Sequence, residues 1–238
     1  MSHNIDIKYA GLPLEKAKKA LIMLHGRGAT AESILTLGDH LNVAEYALLA
    51  PQATNNTWYP HSFMAPIEEN EPWLSSAIDI VKQTVNKVLQ SGIKSENIYF
   101  LGFSQGACLA TEYAARNAKR YGGGVAFTGG LIGKEINRSN YNGDFEQTPV
   151  FFGTGNPDFH VPVERVQASA NIAREMNANV TKKVYENRSS NFANGRAVRN
   201  LFEEVITNQA NRLANKSEIT DDELNTLTYE DFLVDENE

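Results

Sequence analysis

Residues 98–110 read Ile98-Tyr99-Phe100-Leu101-Gly102-Phe103-Ser104-Gln105-Gly106-Ala107-Cys108-Leu109-Ala110. An apolar, β-prone run (Ile98 to Leu101) enters Gly102 to Gly106, and helix-prone residues (Ala107 to Ala110) leave it. The G-x-S-x-G therefore sits between a strand and a helix. A seryl hydroxyl that attacks a carbonyl must project from the end of a sheet, on a turn too tight for a side chain at either flanking position. Glycine at 102 and 106 meets that need, so the stretch reads as a nucleophile elbow with Ser104 as the nucleophile. The chain's single cysteine, Cys108, lies on the departing helix, where it reads as a small core residue.

Upstream, Lys19 to Leu24 form an apolar run of strand length. His25-Gly26-Arg27-Gly28 and a helical pattern from Thr30 or Ala31 follow. The glycine loop lacks the spacing of a P-loop and the third glycine of a dinucleotide fingerprint. In a serine hydrolase a loop at this point supplies one backbone N–H to the oxyanion, and the residue after the nucleophile supplies the other. Here those are the amides of Arg27 and Gln105. His25, directly after the strand, reads as part of the loop's packing.

Tyr46 to Ala50 form another short apolar run. The irregular stretch after it, residues 52–72, is rich in aromatic residues and proline. A long aperiodic loop with this much apolar surface points to a functional element. Trp58, Tyr59, Met64 and the nearby Trp73 are candidate walls of an acyl-binding pocket; the bland alternative is that they cap the core. Leu74, Ile78, Val81, Val85 and Leu89 recur at helical spacing. Gly124 to Phe127, Pro149 to Phe152 and Val180 to Tyr185 read as strands, and Val163 to Met176 as a helix. Strand-helix alternation implies a mostly parallel, doubly wound sheet covered by helices, an α/β fold. Asp158, on the loop after a late strand and downstream of Ser104, is the candidate for the acid that orients an imidazole.

The composition excludes several classes. The 238 residues carry a formal net charge of -7, caused by eight acids and no basic residue within 221–238; the rest is nearly neutral. No basic field favours nucleic acid. No run approaches the ~20 apolar residues of a membrane span, and the first residues lack a secretory signal's apolar core. The expected location is cytoplasmic.

Leu24-His25-Gly26-Arg27-Gly28, Trp58-Tyr59-Pro60, Gly102 to Ala107 and Asn156-Pro157-Asp158-Phe159-His160-Val161-Pro162 together resemble the phospholipase/carboxylesterase family of α/β-hydrolases, which includes acyl-protein thioesterases and lysophospholipases. The resemblance covers residues 1–188. It implies a cofactor-free, metal-free serine carboxylesterase acting on a small-molecule ester or thioester, with Ser104 as nucleophile, Asp158 as orienter and the Arg27 and Gln105 amides as oxyanion hole. The family pattern then has a histidine shortly after the last strand. At that point this sequence reads Ser189-Ser190-Asn191-Phe192, and no histidine follows His160. Losing one triad member costs several orders of magnitude in rate. His160 and His61 are the candidate surrogate bases.

Residues 185–233 resemble the small helical lid of AAA-type ATPases, of the rubisco-activase-like and sporulation-protein group. Arg196 matches the arginine that senses nucleotide there, but no Walker A accompanies it. Residues 189–238 are thus expected to form a helical appendage with an acidic tail. The partners it suggests are a second copy or a protein held by the tail. The competing expectation to an active esterase is an inactive hydrolase scaffold, or a splice of two genes near Tyr185 to Arg188, whose tail is a binding module.

Overall fold

The apolar runs expected as strands are strands. The computed structural model describes residues 2–186 and, beyond them, Asn208, Arg212 and Thr220 alone. The helical appendage expected over 189–238 otherwise lies outside the described residues. Seven strands, β1 (Ile7–Gly11), β2 (Lys19–Leu24), β3 (Tyr46–Pro51), β4 (Ile98–Phe103), β5 (Gly123–Phe127), β6 (Pro149–Asn156) and β7 (Asn179–Glu186), form one sheet in the order β1-β3-β2-β4-β5-β6-β7. Every pairing is parallel except that of β1 with β3.

Within residues 2–186 five α-helices accompany them: α1 (Ala31–Leu35), α2 (Ile67–Asn70), α3 (Trp73–Gln90), α4 (Gln105–Arg116) and α5 (Val163–Glu175). The apolar stripe of α3 buries Leu74, Ala77, Val81, Val85 and Val88. With α4 and α5 it covers one face of the sheet, against Ile22, Leu49, Phe100 and Phe152. Ala31 and Ile34 of α1 pack on the other face against Leu21, Met23 and Leu48. At about 25 cal/mol per Å² of buried apolar surface, these two layers supply most of the drive to fold.

Two elements went unread in the sequence. Strand β1 is a half-exposed edge with Tyr9 50 % exposed, and its signal was the alternation Ile5, Ile7, Tyr9 against Asp6 and Lys8. Helix α2 is a single turn inside the aromatic loop. Among the described residues no helix is long and apolar enough to cross a membrane.

The register places the functional loops. Leu24 lies opposite Gly102, Phe103 opposite Phe127, and Phe127 opposite Gly153. The segments that follow β2, β4, β5 and β6 therefore leave the sheet at one edge, the carboxyl ends of the parallel strands, where open α/β sheets place their ligands.

Candidate active site

Ser104 joins β4 to α4 with φ 53° and ψ -118°, a backbone conformation costing of order 1–3 kcal/mol outside glycine. The surroundings enforce it. A Cβ on Gly102 would lie 2.5 Å from the Gly106 carbonyl oxygen, and one on Gly106 would lie 2.1 Å from the Leu24 carbonyl oxygen. The two glycines let α4 start directly against the end of β2. The Ser104 amide donates to Phe127 O at 2.9 Å, and its carbonyl accepts from Cys108 N at 3.0 Å. Cys108 itself is buried, and burial pushes its thiol up to about 12.

The glycine loop lies against this turn: a Cβ on Gly26 would sit 3.5 Å from Ser104 Cβ. Its neighbour Arg27 is fixed by its side chain, whose guanidinium donates to the carbonyls of Tyr59, Pro60 and His61 at 2.7–2.9 Å. Gly28 N donates to Asn56 O at 2.7 Å. The amide of Arg27, between these anchors, makes no hydrogen bond to a described residue. The Gln105 amide opens α4, where the first N–H groups lack intrahelical acceptors. One of these amides follows Ser104 in the chain and the other follows Gly26, the glycine packed against Ser104.

His25 is fully buried and structural, as its position suggested. Its Nδ1–H donates to Gly26 O at 2.8 Å and its Nε2 accepts from Ala53 N at 3.1 Å. Burial holds its pKa below 6.5, so the neutral ring with one donor and one acceptor is favoured.

Trp58 and Tyr59 are 0 % and 1 % exposed, which corrects their reading as pocket wall: neither presents surface to a ligand. The Trp58 indole N–H donates to His25 O at 2.9 Å, and its backbone N–H donates to Gln105 Oε1 at 3.0 Å. They brace the two loops beside Ser104 instead. Met64 and Trp73 are half-buried and pack on the main core.

Asp158 lies beyond the end of β6, two strands from Ser104 or about 10 Å across the sheet. Its Oδ1 accepts from the backbone amides of His160 and Val161 at 2.8 and 3.0 Å. Oδ2 is buried and makes no hydrogen bond among the described residues. A buried carboxylate oxygen without a donor is costly, and the Nδ1–H of an orienting imidazole is the group that satisfies it in a triad. His160 meets Asp158 through its backbone, not its ring, and the side chains of His160 and His61 are exposed. The structure therefore gathers Ser104, Gln105 and the Arg27 loop, sets Asp158 at the same edge, and joins neither histidine ring to Asp158 by a hydrogen bond.

Sequence reasoning missed the turn that holds the glycine loop. Asn55 and Asn56 are both left-handed, with φ 53° and 57°, and the Asn-Asn pair was a usable signal for it. It also missed His3, for which a lone histidine near the start gives no signal.

Comparison with known proteins agrees with this geometry. The phospholipase/carboxylesterase family model matches residues 11–195. The chain is similar to a crystal structure of a phospholipase/carboxylesterase from Dyadobacter fermentans, at 52 % identity with a TM-score of 0.79, covering 85 % of this chain and 98 % of that one. It is 25 % identical over 197 residues to a probable carboxylesterase SOBER1-like of Arabidopsis thaliana, covering 75 % of this chain and 74 % of the relative. To acyl-protein thioesterase 1 of Saccharomyces cerevisiae it is 29 % identical over 171 residues, covering 63 % and 74 %. A second family model, the AAA lid domain, matches residues 167–238. Up to Glu186 that match falls on α5 and on β7, which pairs with β6 over its whole length in the hydrolase sheet. The strained serine turn, the braced glycine loop and these relatives agree: the chain belongs to the phospholipase/carboxylesterase family.

Proposed function

We propose that the chain is a serine hydrolase of small-molecule carboxylic esters or thioesters, with Ser104 as nucleophile. The observation that carries this reading is the backbone of Ser104, held at φ 53° between two glycines that admit no side chain. Such strain survives where surrounding structure over-determines it, and it aims a hydroxyl at a substrate. In the reaction Ser104 Oγ bonds to the acyl carbon and its proton passes to a surrogate base, for which His160 and His61 are the candidates. The carbonyl π electrons move to oxygen, where the Arg27 and Gln105 amides receive the charge. Collapse expels the alcohol or thiol, which takes the proton, and water then releases the acid by the same route. The buried, unpartnered Oδ2 of Asp158 is the acceptor that would orient such a base once an N–H of its ring reaches it.

The test is reaction with a fluorophosphonate probe followed by mass mapping, since phosphonylation reads nucleophile activation without a known substrate. Labelling at Ser104, with p-nitrophenyl ester hydrolysis that vanishes in Ser104→Ala, is expected. Turnover indifferent to that substitution overturns the reading.

One observation favours a second reading, a scaffold that binds acyl ligands without turning them over: no histidine follows His160 in the sequence. It expects folded protein that neither labels nor hydrolyses yet binds an ester analogue at this edge.

A further inference from the structure

We propose that His3 is a positioning residue for the oxyanion side of the site, acting on Arg27 through the strained Asn55-Asn56 turn. This rests on the reading of the Arg27 amide as an oxyanion donor. From Ser2 to Asp6 the chain is exposed at every residue but one, and that one, His3, is 6 % exposed. A polar ring buried there loses hydration that an apolar side chain would not have lost, so its hydrogen bonds must be the reason for it.

Both ring nitrogens are used, on the two ends of one turn. Nε2–H donates to Trp58 O at 2.8 Å, and Nδ1 accepts from Thr54 N at 3.1 Å. Between those ends lie the two left-handed asparagines, and the carbonyl of Asn56 holds Gly28 N at 2.7 Å. His3 therefore clamps the turn at 54 and 58 while the middle of the turn grips the residue next to Arg27. The other end of the clamp reaches Gln105, because Trp58 N donates to Gln105 Oε1.

The ring is itself fixed. Its backbone N–H donates to Ser76 Oγ of α3 at 2.8 Å, and it meets Trp73 and Trp58 edge-on with centroids 5.0 and 5.8 Å away. The arm is secured beyond it by Gln52 N donating to Asp6 O at 2.7 Å. Helix α3 and the N-terminal arm thus share one imidazole that sets the position of both proposed oxyanion donors. The turn also carries hydrogen bonds of its own, from Asn56 N to Ala53 O at 3.0 Å, Thr57 N to Thr54 O at 3.2 Å and Gln52 Nε2 to Asn56 Oδ1 at 3.0 Å; the His3 ring adds the tie that fixes its two ends to the N-terminal arm and α3.

The experiment compares the full-length chain with His3→Ala and His3→Gln, reading residue-resolved amide hydrogen exchange and the rate of Ser104 labelling by a fluorophosphonate. Glutamine keeps one donor and one acceptor at the same reach. In His3→Ala, exchange at Gly28 and Trp58 is expected to quicken at least about tenfold while Phe152 and Thr181, across the sheet, keep their rates; labelling is expected to slow about tenfold to a hundredfold. His3→Gln is expected to restore most of both. Unchanged exchange at Gly28 in folded His3→Ala overturns the proposal, as does a rise spread evenly over all amides or a failure of glutamine to rescue. Wild-type protein that never labels, yet shows the local exchange change and its rescue, supports the clamp and counts against the hydrolase reading alone.

Discussion

Gln105 Oε1 accepts the backbone N–H of Trp58 at 3.0 Å, and the same amide's Nε2 donates to Tyr59 O at 2.8 Å. The residue after Ser104 therefore contributes twice: its backbone faces the site and its side chain ties the serine turn to the aromatic loop. Gln105→Leu keeps the volume but strands the buried N–H of Trp58, whereas Tyr59 O retains the Arg27 guanidinium. The expected loss is about 2 kcal/mol, the cost of one buried unsatisfied amide, read as a lower denaturant midpoint. An unchanged midpoint would mean that the aromatic loop holds itself without Gln105.

The glycines of the site differ in what they tolerate. A Cβ on Gly106 would meet the backbone oxygens of Leu24, the last residue of central strand β2, and of His25, the buried residue after it, at 2.1 and 2.6 Å. Gly106→Ala is expected to cost more than about 3 kcal/mol, the upper range of overpacking. Gly28 has φ +78° and no atom within 4 Å of the built Cβ, so Gly28→Ala carries only the left-handed penalty of about 1 kcal/mol. Equal losses in equilibrium unfolding would refute the steric account of the elbow.

Much of this architecture was legible because strong apolar runs and periodicity report burial directly. Lys19 to Leu24, Ile98 to Leu101 and the stripe Leu74 to Leu89 each declared an element, and the flanking glycines declared the turn at Ser104. What stayed hidden lies in contacts between distant residues. Trp58 and Tyr59 were read as pocket wall because aromatic residues on a loop look like ligand surface. Trp58 is held inside by His25 O and Gln105 Oε1, and the Tyr59 carbonyl by Gln105 Nε2 and the Arg27 guanidinium, partners that no local pattern announces. The clamp made by His3 is invisible for the same reason, since its partners lie 51 and 55 residues away.

Acid is expected to loosen the site before it unfolds the rest. Burial is the main cause holding the pKa values of both His3 and His25 below 6.5; the hydrogen bonds to the carbonyls of Trp58 and Gly26 oppose it, as does Glu32 for His25, to whose lowering the His3 ring adds. The unfolded chain thus binds more protons than the folded one between the folded values and 6.5. Stability contributed by these rings is fully present above 6.5 and declines as the pH falls below it, by at most about 1.4 kcal/mol per pH unit for each. Denaturant midpoints between pH 7.5 and 5.5 test this, and His3→Gln should flatten the slope. A profile level over that range would show that neither ring gains a proton on unfolding.

Supplying an imidazole by substitution is the most direct test of whether a base limits the site. Strand β7 ends at Glu186, paired with Asn156, whose side-chain amide donates to the Glu186 carboxylate at 3.1 Å. Asp158 lies two residues past Asn156, the strand partner of Glu186, and positions 189 and 190 follow Glu186 by three and four residues in the sequence. The buried, undonated Oδ2 of Asp158 is the acceptor that an imidazole Nδ1–H requires. Ser189→His or Ser190→His is therefore expected to raise the fluorophosphonate labelling rate at Ser104 by about a hundredfold or more, since a triad member is worth several orders of magnitude. The gain should disappear in combination with Ser104→Ala and shrink with Asp158→Asn, which removes the charge facing the new ring. Folded variants that label no faster than the parent chain would show that a base is not the missing part, and that Ser104 or its oxyanion donors are out of position.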